Sequence, residues 1–322
     1  MKSANAGLRD GHRRGFARGM PKPARYASVV SGYRSLEPMM WIWVVCAALV
    51  AASIAAPRIA VAEVPVLPLP RAHAHNDYLH GRPLYDAVEQ GFTSVEADVY
   101  PALGSSDLPV AHAPWEIRLD RTLRTLYLDP LRRLVAENGG TVLPGYHGEF
   151  QLLIEIKFDA PDVYRVLDAT LRDPAYDGLF TRYTDGRVER GPVTVSVLTA
   201  FTSGTEMRAT MAAQTTRSAF AVGAPEDLGT GLPATLMPEV EADWTRLFSW
   251  GGVGPMPEGQ RRALQDLVDR AHGEGKRVRF WGAPDEPGPA RKALWDEEFD
   301  AGVDRLSTDH LSELADYLRS RQ

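Results

Sequence analysis

Cysteine is nearly absent. The 322-residue chain has one, Cys46, so an intrachain disulfide, a CxxC redox pair and a cysteine-built metal cluster are all excluded. Net positive charge is confined to the first sixty residues. Residues 1–62 hold nine lysines and arginines against two acids, so that, against a total formal charge of −6, the other 260 residues carry −13. Such a body repels a polyanionic backbone, which argues against nucleic acid as a partner. It suits a binder of metal cations, or simply a solvated acidic surface. From residue 63 onward there is also no low-complexity linker, charge block or fixed-period repeat, which argues against a disordered or solenoid chain. The 44% of apolar residues is enough for one large core or two modest ones.

One long apolar run is present, and it lies at the front. Residues 39–56 read MMWIWVVCAALVAASIAA behind a basic leader, and Ala60, Val61 and Ala62 offer a small-x-small cleavage site. Residues 1–62 are thus expected to be a leader and export signal, with a mature chain starting at Glu63 in the periplasm or outside the cell. The alternative is an uncleaved anchor through residues 39–56, since 18 residues can just span a bilayer.

Residues 63–322 have the size of a single (β/α)8 TIM barrel. Apolar patterning predicts strands over Leu69–His75, Thr93–Val99, Leu152–Lys157, Val193–Ala200, Ala219–Gly223, Leu247–Trp250, Arg277–Trp281 and Arg305–Thr308. Helical spacing runs over Arg82–Gln90, Pro161–Arg172, Thr205–Gln214, Pro257–His272 and Leu311–Arg319. Eight strands with helices between them specify a closed parallel barrel more naturally than an open sheet.

In such a barrel the strand C-termini face the active site. Polar residues collect there: His73 and His75, Glu96 and Asp98, Glu155 and Lys157, then Trp281 and Asp309. Positions i and i+2 of a strand share a face. Glu96 and Asp98 therefore point together, as do Glu155 and Lys157, while Val95, Ala97, Val99, Ile154 and Ile156 point to the helices. Three carboxylates converging at a barrel mouth make a hard-cation site for one Mg²⁺ or Ca²⁺. His112 follows a short extended segment, Leu108 to Ala111, that could fold back over the same mouth. Imidazoles beside a metal-held group supply acid and base near neutral pH.

These motifs resemble the glycerophosphodiester phosphodiesterase and phospholipase-C-like superfamily, in the branch related to altered inheritance of mitochondria protein 6. The resemblance is carried by HAHNDY at 73–78, PLYDAVEQGFTSVEADVY at 83–100, LPVAH at 108–112, RTLRTLYLDPL at 121–131, LLIEIK at 152–157, FWGAP at 280–284 and GVDRLSTDHL at 302–311. It implies a TIM barrel that cleaves phosphodiesters with two histidines and a divalent ion. Carried over, His75 and His112 match the catalytic histidines, Glu96, Asp98 and Glu155 the metal ligands, and Lys157 the lysine that faces phosphate. Trp281 matches a pocket aromatic, and His73, Asn76, Asp77 and Asp309 complete the expected substrate pocket. The classical His-Arg-Gly at strand 1 is replaced here by His75-Asn76-Asp77. His73 competes with His75 for the first catalytic place, and the spacing favours His75.

The expected substrate is a small phosphodiester or a phospholipid headgroup, with room for transient membrane contact. Two rivals remain open. His73-Ala74-His75 together with Asp309 also resembles the metal site of a zinc amidohydrolase, although the middle strands offer no imidazole. A non-catalytic envelope protein could use the same barrel for binding.

Overall fold

The computed structural model describes residues 66–102, 104–200 and 204–322. The leader, the apolar segment 39–56 and its cleavage site lie outside the described residues. The strands are β1 (Leu69–Ala74), β2 (Phe92–Val99), β3 (Phe150–Ile156), β4 (Val193–Thr199), β5 (Ala219–Gly223), β6 (Glu239–Asp243), β7 (Arg277–Trp281) and β8 (Leu306–Thr308). They pair in parallel in the order β7-β6-β5-β4-β3-β2-β1-β8. The two ends meet through a parallel bridge between Arg279 and Arg305, where the amides of Asp304 and Arg305 donate to the Val278 carbonyl at 3.1 and 3.3 Å. That contact closes the ring.

Around the ring lie α1 (Tyr85–Glu89), α2 (Asp129–Glu137), α3 (Ala160–Leu171), α4 (Thr205–Ala213), α5 (Trp244–Leu247), α6 (Glu258–Gly273), α7 (Pro289–Ala301) and α8 (Leu311–Ser320). A small antiparallel sheet of Arg182–Thr184, Arg187–Glu189 and Thr216–Arg217 is added beside β4. Among the described residues no helix is long and apolar enough to cross a membrane.

The hydrophobic core lies between strands and helices. Val95, Ala97, Val99, Ile154 and Ile156 are buried in its larger cluster, on the side that strand alternation predicts. A second cluster joins Val240 and Ala242 of β6 to Val278 and Phe280 of β7 and to Leu264 and Val268 of α6.

The interior of the barrel is largely polar. Arg279, 1% exposed, donates from Nη1 to Glu96 Oε2 and Ser307 Oγ at 3.1 and 3.0 Å, and from Nη2 to Glu241 Oε2 at 2.5 Å. One layer below, Arg277 and Arg305 share Glu239 and Glu149 over 2.6–3.3 Å. Gln151 donates to Glu239 and to Ser196.

This interior corrects the sixth strand. The expected Leu247–Trp250 is not a strand. Leu247 ends the helical turn α5, and Phe248 packs on Trp244 with ring centroids 4.5 Å apart. The real β6 reads EVEAD. Its acids look like surface positions, yet Glu239 and Glu241 point inward to the β7 arginines and to Arg305 just before β8, while Val240 and Ala242 face the helices.

Candidate active site

Parallel pairing of β2 with β3 places Asp98 opposite Glu155. With Glu96 two residues back on the same face, the three carboxylates bring ligand oxygens within 4.8 Å of one another. Lys157, just beyond β3, reaches back to this group. Its Nζ lies 2.7 Å from Asp98 Oδ2 and also contacts Glu155 Oε2. The Tyr78 hydroxyl donates to the same Asp98 oxygen. Asp98 Oδ1 is buried and has no hydrogen-bond partner among the described residues.

The electrostatics mark the same place. Burial, with Glu96 and Glu155 adding to it, pushes the Asp98 carboxyl up to about 8 despite Lys157. Burial opposes ionisation of Glu96 too, but Arg279 and the neighbouring histidines hold it well below the usual carboxylate range. A cluster made only of carboxylate oxygens, with one buried oxygen left open, fits a hard divalent cation. Glu96, Asp98 and Glu155 are the residues that would hold it.

His75 follows β1, and its amide continues the ladder by donating to the Thr308 carbonyl at 3.0 Å. Its Nδ1 lies 2.9 Å from Asp309 Oδ1. Burial lowers its proton affinity, but the charge of Glu96 and the bond to Asp309 outweigh it, and the imidazole is raised above its ordinary value. Asp309 is itself fixed by Asp285, which accepts the Asp309 amide at 2.8 Å and the Thr308 hydroxyl at 3.0 Å. His112 arrives as expected, on a segment that folds back over the mouth. Val110 bridges Val99 in antiparallel fashion, and the Ala111 amide donates to the Asp98 carbonyl at 3.2 Å.

A cavity of about 560 Å³ brings together His75, His112, Glu96, Glu155, Lys157 and Trp281. Asn76 lines it as well. This residue adopts a left-handed backbone (φ 49°), shares the Tyr78 hydroxyl with Asp98 through Oδ1 at 2.7 Å and donates to Asp309 at 3.3 Å. Asp309 lines a smaller adjoining pocket that His75 and Trp281 share.

Two residues expected in the substrate pocket lie elsewhere. His73 is fully buried inside the barrel, with Nε2 3.0 Å from Glu96 Oε2 and Nδ1 2.6 Å from Ser94 Oγ. Burial and the nearby Arg279 push its imidazole down to about 3. It holds Glu96 from below. Asp77 is buried in the turn after β1, where Oδ2 accepts the Leu84 amide at 2.6 Å and the Tyr127 hydroxyl at 2.9 Å. Its carboxylate is committed to these two donors and does not line the cavity.

Glu241, Arg279 and Arg208 also line the cavity and were not anticipated from sequence. Arg279 alone had a signal, because it shares a strand face with Trp281 two residues on.

The AIM6-like phosphodiesterase domain model matches residues 62–221. Altered inheritance of mitochondria protein 6 of Eremothecium gossypii is 30% identical over 285 residues, covering 79% of this chain and 70% of that protein. The chain belongs to this family. The AIM6 homolog of Arthroderma benhamiae is 27% identical over 277 residues, covering 78% of this chain and 84% of its own length. A solved Agrobacterium tumefaciens chain with a provisional glycerophosphoryl diester phosphodiesterase name covers 79% of this chain and 98% of its own at 16% identity and a TM-score of 0.42. The AIM6-like match spans the three acids, both histidines of the cavity and Lys157, all of which lie within residues 62–221.

Proposed function

We propose that this AIM6-like barrel is a divalent-cation-dependent phosphoric diester hydrolase acting on glycerophosphodiesters or a related phospholipid headgroup. One observation carries the reading: Glu96, Glu155, Lys157 and two histidines line one cavity at the C-terminal end of the strands, with Asp98 buried in the same carboxylate cluster. A Mg²⁺ or Ca²⁺ held by Glu96, Asp98 and Glu155 would draw charge from the phosphoryl oxygens. Lys157 offsets negative charge at the same place. His75, with Nδ1 on Asp309, keeps Nε2 for the substrate. One of His75 and His112 accepts a proton from the attacking hydroxyl, and the other returns one to the departing alkoxide. The attacking group is water, or a hydroxyl of the substrate adjacent to the phosphate, which would give a cyclic diester first. Trp281 offers an apolar face for the organic part of the substrate.

The same reading includes export through the apolar segment at 39–56, a small-molecule diester rather than nucleic acid as partner, and membrane contact that is transient. The test is a panel of glycerophosphodiesters, inositol lipids and sphingomyelin with purified protein, with Mg²⁺, with Ca²⁺ and with EDTA. Cation-dependent cleavage that is lost in both His75→Ala and His112→Ala is the expected result. Absence of cleavage across the panel would move the protein to a binding role.

A further inference from the structure

The cavity has a second charged wall. Across the mouth from His75 and Asp309, the ends of β4 and β5 contribute Leu198, Val222, Gly223 and Ala224, which are apolar or small, together with the hydroxyl residue Thr199. Arg208, in the first turns of α4, enters that wall. Its Nη1 donates to Asp227 Oδ2 at 3.2 Å. Asp227 is itself fixed by accepting the Ala224 amide on the same oxygen at 2.9 Å. A cation held in one place among mostly apolar neighbours is the usual form of a specificity anchor in a ligand cavity. The carboxylate cluster lies with Lys157 on the β2–β3 side. Among the described residues, no hydrogen bond or ion pair joins Arg208 to that cluster, and its partner is Asp227.

We infer that Arg208 binds an anionic group, a carboxylate or a phosphate, carried on one arm of the diester and separate from the phosphate that is cleaved. The inference rests on the phosphodiesterase reading and narrows its substrate class. A diester centred at the acids and Lys157 has two arms in a cavity of about 560 Å³. One arm can run toward Trp281 on β7, and the other toward the β4–β5 wall. The planar guanidinium suits paired oxygens, and one edge of it is already braced by Asp227.

Glycerophosphoserine and glycerophosphoethanolamine differ by one carboxylate and isolate this contact. The readout is the ratio of their kcat/KM values. The wild type is expected to favour the serine diester. In Arg208→Gln that preference falls by about tenfold or more, the usual worth of a charge-assisted contact. Arg208→Lys keeps part of it. Asp227→Asn, which loosens the guanidinium while keeping its charge, reduces it in the same direction and serves if the glutamine variant does not fold. A parallel loss on both substrates, or an unchanged ratio, overturns the inference. If the wild type cleaves neither diester, the phosphodiesterase reading fails separately. Calorimetric binding of the two non-cleavable phosphonate analogues then decides: tighter binding of the serine analogue that Arg208→Gln abolishes sustains the contact, and equal binding of both removes it.

Discussion

His75 Nδ1 lies 2.9 Å from Asp309 Oδ1, so the residues just beyond the first strand of the barrel and the last are tied together at the cavity mouth. The bond and the charge of Asp309 both favour the protonated imidazole. In Asp309→Asn the His75 proton affinity therefore falls, and the ring loses its orienting partner. The expected outcome is a kcat/KM lower by roughly tenfold or more, with the limb of the pH profile that belongs to His75 displaced toward acid. NMR titration of His75 checks the displacement independently of turnover. An unmoved titration would show that Glu96, not Asp309, sets the ring.

Arg279 is the keystone of the charged interior, touching Glu96 and Glu241 at once. Burial raises Glu241 to about 8 even beside this arginine. Arg279→Met leaves two buried carboxyls without their cation and is expected to cost about 3–5 kcal/mol. Urea unfolding measures it. Adding Glu241→Met in the same chain should recover part of the loss, because the second apolar side chain removes one of the stranded acids. A double variant no more stable than the single one would refute the pairing argument.

Asp77 makes stability fall with rising pH. Burial pushes its carboxyl up to about 7 from an ordinary value of 3.8. The folded state thus favours the neutral acid. That contribution is complete below the unfolded value and is lost as pH climbs through the folded one, on the order of 4 kcal/mol in all. Asp77→Asn can keep an oxygen toward Leu84 and Tyr127 and cannot ionise. Compared with this variant, the wild type should lose stability between about pH 4 and pH 7 and change little above that. Parallel stability curves for the two proteins across that window would contradict the assignment.

Cation binding is open to a test that needs no substrate. If Glu96, Asp98 and Glu155 form the site, Mg²⁺ or Ca²⁺ at about a hundredfold its dissociation constant stabilises the protein by about 2.7 kcal/mol. The melting temperature should rise with cation and return with EDTA. In Asp98→Asn with Glu155→Gln the rise should vanish. A rise that persists in the double variant would place the ion elsewhere.

Seven of the eight strands were legible because their outward faces are apolar and β-branched, as in Val193–Thr199. The eighth, Glu239–Asp243, was not, because its acids are satisfied by arginines 38 to 66 residues further along the chain. Local pattern carries no trace of such a distant partner. The acid cluster was legible for the opposite reason: i and i+2 spacing on two adjacent strands is local, and the strand register then brings the pairs together. His73 and His75 show where this stops. Spacing puts them on one face, but depth along the barrel decides that one props Glu96 while the other meets the cavity. Arg208 gave no warning at all, since a lone arginine early in a helix looks like ordinary surface.

Closure of the ring through Val278, Arg279 and Arg305 has a temporal meaning. During synthesis the first strand waits for a neighbour made more than two hundred residues later. A nascent chain can hold both cavity histidines and all three clustered acids and still lack the Asp309 that orients His75. The oriented His75 therefore depends on the final segment, in which β8 pairs with β1 and the bridge to β7 forms. A half-made or C-terminally clipped chain would leave His75 without its carboxylate partner.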